Sequence, residues 1–200
     1  MKTLLFCVLV LLSAGIALPQ AAPSPEKGAS HPIIMIGDSI TAQGRWTEVL
    51  HRSDVTNWGI PGYTTGQLAW TFKDLMPQQP RLCFLAGGIN DLTLGVPAER
   101  IYQNQVDAIG FFRAKNVIPV LQAVLYQVDN PPTNQVIKQL NARLQAFCEV
   151  NRVDFIDLNA VLSEHDGLKK ELSTDGTHLK PEAYVIWAKE VEKVLRKYQL

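Results

Sequence analysis

The chain has 200 residues, 46% hydrophobic and 19% charged, which is the balance of a globular protein and excludes intrinsic disorder. Nineteen Lys and Arg stand against 19 Asp and Glu, so the formal net charge is zero and sequence-independent nucleic-acid binding has no electrostatic basis. Three Cys without a C-x-x-C pair and four His without ligand spacing exclude a disulfide scaffold and suggest no metal clip.

Lys2 precedes a nine-residue apolar run over 4–12, followed by the small residues Ser13, Ala14 and Gly15. One positive charge, a short apolar segment and a small-residue ending predict a signal peptide over 1–22, cut after Ala17 or within Ala21-Ala22. The run is too short to cross about 30 Å of hydrocarbon comfortably, so no stable membrane insertion is expected. Residues 23–30 read as a linker. The expectation is an exported chain, periplasmic or secreted, with one folded domain over 31–200.

Five short apolar runs then alternate with helical patterns. Residues 32–36, 55–58, 81–86, 117–125 and 153–158 are predicted strands, the first and third stopped by Gly37 and by Gly87-Gly88. Ile101, Ala108, Ile109 and Phe112 share one helical face, and Ile137, Leu140, Leu144, Phe147 and Cys148 another. Pro181 opens a last helix whose stripe is Tyr184, Trp187, Ala188, Val191, Val194, Leu195 and Tyr198. This alternation predicts an α/β fold with three α/β/α layers and a flavodoxin-like five-stranded parallel sheet of order 2-1-3-4-5. Ligands bind such sheets outside the C-terminal strand ends, at the switch point. Cys83 and Cys148 fall on a strand and a helix; a disulfide between them is open, but two inert buried thiols suit the pattern better.

Three polar elements fall at those strand ends, and a fourth lies immediately before the last helix. Gly37-Asp38-Ser39-Ile40 puts a hydroxyl at a tight turn into a helix, where it could act as a nucleophile or simply cap the helix. The loop from Asn57 through Gly59 and Gly62 to Thr65 leaves backbone N–H groups free to meet an oxyanion, though a plain turn reads the same way. Gly88-Ile89-Asn90-Asp91 could offer the Asn90 amide to an oxyanion or form an Asx turn. In Asp175-Gly176-Thr177-His178 the carboxylate can accept the imidazole N–H, fixing the tautomer a general base for Ser needs; the alternative is a satisfied surface His. His31, His51 and His165 lie in the linker or among charged residues.

In this order, over 32–200, the elements make the sequence resemble the SGNH hydrolases, the GDSL-type esterases and lipases. The resemblance implies a Ser-His-Asp triad of Ser39, His178 and Asp175, and an oxyanion hole of the Ser39 and Gly59 N–H groups with the Asn90 amide. It implies neither a metal nor an organic cofactor. The one visible departure is Ile40 where the family motif ends in Leu.

Short loops without an inserted apolar lid predict a small acyl group, acetyl, on a bulky polar alcohol. Trp58 and Tyr126, expected near strand ends, are candidate faces for a sugar ring. The expected activity is that of a serine esterase removing O-acetyl groups from carbohydrate, its partner a small-molecule or carbohydrate ester. A lysophospholipase or thioesterase of the same fold is the alternative, and a non-catalytic carbohydrate- or nucleotide-binding module the alternative from another class.

Overall fold

β1 (Ile33–Gly37), β2 (Val55–Gly59), β3 (Leu82–Leu85), β4 (Ile118–Gln122) and β5 (Asp154–Ile156) form one sheet in the computed structural model, which describes residues 32–200. The order is β2-β1-β3-β4-β5 and every pairing is parallel, as the alternating pattern predicts. The predicted signal peptide over 1–22 and the predicted linker over 23–30 lie outside the described residues. β1 and β3 are buried along their whole length, which is why they read as continuous apolar runs; the edge strands β2 and β5 are only partly covered.

The helices fill the two outer layers. α3 (Thr65–Leu75) and α6 (Pro131–Asn151) pack with α5 (Ala98–Ala114); α8 (Pro181–Lys197) packs with α2 (Trp46–Val49) and α7 (Asn159–Leu162). α3 starts in a capping box: Gln67 N–H donates to Thr64 Oγ1 and Thr64 N–H to Gln67 Oε1. Among the described residues no helix is long and apolar enough to cross a membrane.

One predicted element is shorter than expected and one observed element was not predicted. The apolar run 117–125 is not strand to its end, because the buried Asn141 takes over from the ladder: its amide accepts from Val124 N at 2.9 Å and donates to Val124 O at 2.8 Å. A two-stranded hairpin absent from the sequence reading, β6 (Ser163–Glu164) and β7 (Gly167–Leu168), turns through His165 and Asp166 at φ 49° and 59°. Cys83 and Cys148 are free, buried thiols; burial pushes both up, Cys148 to about 12.

At the C-terminal edge the three central loops meet. Gly37 and Gly59 are paired in register, Gly37 O accepts from Ile60 N at 2.8 Å, and Ile36 O accepts from Ala86 N at 2.9 Å. α8 is brought to the same edge by aromatic packing. Trp46 lies 4.9 Å from Trp187 and 5.8 Å from Tyr184, ring centre to ring centre, and the Tyr184 hydroxyl donates to Ile40 O at 2.7 Å. The last helix is thereby fixed against α1 (Ser39–Ala42).

Candidate active site

Ser39 is the first residue of α1. Asp38 caps the helix by accepting from Ile40 N at 2.9 Å, so the cap and the half-buried hydroxyl belong to neighbouring residues rather than competing for one. The Ser39 N–H has no partner among the described residues. Its Oγ lies 2.9 Å from His178 Nε2, across 139 residues of chain.

The His178 turn is built from short polar side chains. Asp175 Oδ1 accepts from Thr177 N at 3.0 Å and His178 N at 2.8 Å, and Asp175 Oδ2 lies 2.7 Å from His178 Nδ1. The His178 backbone N–H, and then its ring, hold the Asp175 carboxyl at about 2, well below the usual carboxylate range. An ionised carboxylate only accepts, so Nδ1 carries the proton and Nε2 accepts from Ser39 Oγ–H. Ser173 steadies the turn: its hydroxyl donates to His178 O at 2.9 Å and accepts from Gly176 N at 2.8 Å.

Gly59 requires a correction. Its N–H is already committed, donating to Asn57 Oδ1 at 3.0 Å, while Asn57 Nδ2 donates to Ala42 O and Gly44 O at 3.0 Å each. Gly59 serves close packing instead, for a Cβ there would sit 2.2 Å from Ala42 N. The open N–H of this loop belongs to Gly62, which has no partner among the described residues. Ile60-Pro61-Gly62-Tyr63 is a type II turn, with Tyr63 N bonded to Ile60 O at 3.2 Å and Gly62 at φ 80°. Pro followed by Gly was the available sequence signal for this turn.

Asn90 and Asp91 hold that loop from the other side. Asn90 Nδ2 donates one hydrogen to Tyr63 O at 3.0 Å, leaving its second for a ligand. Asp91, 1% exposed, accepts from Thr65 N at 2.8 Å and Thr65 Oγ1 at 2.6 Å. Asp38 is the other buried carboxyl here; burial pushes it up, partly offset by the Ile40 N–H and the nearby His178.

The two aromatic candidates are held by other contacts. The Trp58 indole donates to Thr71 Oγ1 of α3 at 3.1 Å and packs half-buried on the core. Tyr126 is half-buried on the side of α6 and the hairpin, where burial and Asp166 push its phenol up. Among the described residues neither is hydrogen-bonded to Ser39, Asp175 or His178.

The arrangement offers a hydroxyl aligned on an imidazole, a carboxylate behind it, and N–H donors at Ser39, Gly62 and Asn90. The model of the GDSL-like Lipase/Acylhydrolase family matches residues 35–186. The fold is similar to a GDSL-like lipase from Bacteroides thetaiotaomicron at 20% identity and a TM-score of 0.74, covering 84% of this chain and 89% of that one. It is similar to the lipase/acylhydrolase from Enterococcus faecalis at 20% identity and 0.72, covering 84% and 96%. An acetyl xylan esterase shares it at 18% identity and 0.70, covering 82% and 99%. Among curated proteins the chain is 26% identical, over 151 residues, to an N-acylneuraminate cytidylyltransferase of Streptococcus agalactiae. That match covers 75% of this chain and 35% of the relative, so the chain spans about a third of the length of the curated relatives it matches.

Proposed function

The chain belongs to the GDSL-like lipase/acylhydrolase family, and from that premise we propose that it is a serine esterase that removes acetyl groups from carbohydrate. The observation that carries the reading is the relay from Ser39 Oγ to His178 Nε2 at 2.9 Å and from His178 Nδ1 to Asp175 at 2.7 Å. His178 takes the Ser39 proton as Oγ attacks the ester carbonyl. Asp175, ionised throughout, stabilises the imidazolium that forms. The tetrahedral oxyanion is received by the N–H groups of Ser39 and Gly62 and by the Asn90 amide, Gly62 standing where the sequence suggested Gly59. His178 then protonates the departing alcohol, and water releases the acyl group by the same steps in reverse.

A small acyl group is supported by the openness of the site: the His178 and Asp175 side chains are 28% and 54% exposed, too wet a setting to shelter a long chain. A carbohydrate alcohol is supported by the acetyl xylan esterase among the similar folds and by curated relatives named for an N-acylneuraminate, a sugar. Trp58 and Tyr126 remain candidate sugar contacts. Export is supported by the apolar run at 4–12.

Ser39→Ala is expected to abolish 4-nitrophenyl acetate hydrolysis and labelling by a fluorophosphonate; wild-type turnover in the purified variant would end the mechanism. Acyl preference is checked by comparing 4-nitrophenyl acetate with the dodecanoate. Acetate is expected to be faster, and the reverse order would favour the lysophospholipase or thioesterase reading.

A further inference from the structure

We infer that the crevice between the N-terminal turn of α6 and the β6–β7 hairpin is the subsite for the alcohol half of the ester, and that its ligand is a polyhydroxylated saccharide. The inference rests on the acetylesterase reading above. The leaving alcohol takes its proton from His178 Nε2, so it must lie on the His178 side of Ser39. The crevice, about 420 Å³, is connected to the turn that carries Asp175 and His178 through the segment 127–128. Val128, which lines it, donates its N–H to Gly176 O at 2.8 Å, and Gln127 Nε2 donates to Thr177 Oγ1 at 2.8 Å.

The crevice is framed before any ligand arrives. The buried Asn134 accepts from Gln127 N at 2.8 Å and donates to Gln127 O at 2.7 Å, and Leu168 of β7 donates to the same carbonyl at 3.3 Å. The Lys138–Asp166 ion pair, 2.7 Å, closes the hairpin tip onto α6. Such a fixed frame limits the ordering cost of binding.

The side chains around it are, by contrast, uncommitted. Asp129, Gln135, Glu164, His165 and Lys170 line the crevice, and their side chains have no hydrogen-bond or ion-pair partner among the described residues. Acceptors from Asp129 and Glu164, donors from Lys170, and both kinds from Gln135 and His165 suit neighbouring hydroxyls, which donate and accept at once. An acyl chain would strip water from these groups and return no hydrogen bond.

The test is kcat/KM for O-acetylated xylotriose and O-acetylated hexosamines divided by kcat/KM for 4-nitrophenyl acetate, in the wild type, Glu164→Ala and Gln135→Trp. Both positions are exposed, so the fold is expected to survive, and near-ultraviolet circular dichroism checks it. The ratio is expected to fall about tenfold or more in each variant, mainly through the KM for saccharide, as loss of a good polar contact typically does. An unchanged ratio, in a chain that does hydrolyse the acetylated saccharides, overturns the crevice and leaves the carbohydrate reading standing. A wild type that cleaves the aryl acetate but no acetylated saccharide removes that reading and the crevice with it.

Discussion

Asp175 is the most strongly perturbed exposed acid of the site, and its cause is local: two backbone N–H groups and one imidazole converge on one carboxylate. Its folded-state value of about 2 lies below the ordinary 3.8, so its contribution to stability is complete above that ordinary value. The contribution disappears only as pH falls toward 2, and across any working range Asp175 does not titrate. The acid limb of kcat/KM is therefore expected to carry no ionisation from Asp175, which a pH–rate profile of the wild type checks. Asp175→Asn should lower kcat/KM on the order of 10²–10⁴-fold, the range of a positioned acid–base group, by letting the imidazole adopt the wrong tautomer. A variant with wild-type turnover would show that the turn alone orients His178. The Asp-x-x-His spacing made this pair legible in the sequence, because both partners lie in one tight turn. Gly59 was misjudged there for the opposite reason: whether its N–H was free depended on the rotamer of Asn57, which no spacing reveals.

At the scale of elements, Asn90 and Asp91 act as consecutive teeth of one clamp. The first donates to Tyr63 O and the second accepts from Thr65 N and Oγ1, so the Gly62 turn is held against α4 (Ile89–Thr93) before substrate arrives. Asp91→Asn should leave KM nearly unchanged and lower kcat roughly 10- to 100-fold, because small misplacements of an oxyanion donor act on the transition state. Thr65→Val should reproduce the defect and Thr65→Ser should not, which separates the clamp from general packing. Equal falls in kcat for both Thr65 variants would refute it. β1 and β3 were readable because burial on both faces leaves an unbroken apolar run, and the same rule overran β4, where Asn141 rather than a neighbouring strand satisfies Val124. The β6–β7 hairpin had no such signal. Two-residue strands are too short for alternation, and only Asp166-Gly167 marked the turn.

Across the whole molecule, the reacting pair is joined only through the fold. Ser39 sits at the start of α1 and His178 three residues before α8; the Tyr184 hydroxyl joins those two helices at Ile40 O, and the Trp46, Tyr184 and Trp187 cluster docks α8 on α2 beside them. Each such aromatic pair contributes about 0.5–1.5 kcal/mol beyond its buried area, so the site should persist as long as the core does. Two of the four Trp report on this junction directly, since Trp46 and Trp187 are 2% and 1% exposed, whereas Trp70 is 72% exposed and its emission should change little. Esterase activity and tryptophan emission are accordingly expected to be lost at the same urea concentration, as one cooperative step. Activity lost well before the emission shift would mean that the Asp175–His178 turn opens by local unfolding while α8 stays docked. Coincidence of the two curves would instead tie the alignment of Ser39 on His178 to the packing of the last helix, the one part of the relay that neither motif encodes by itself.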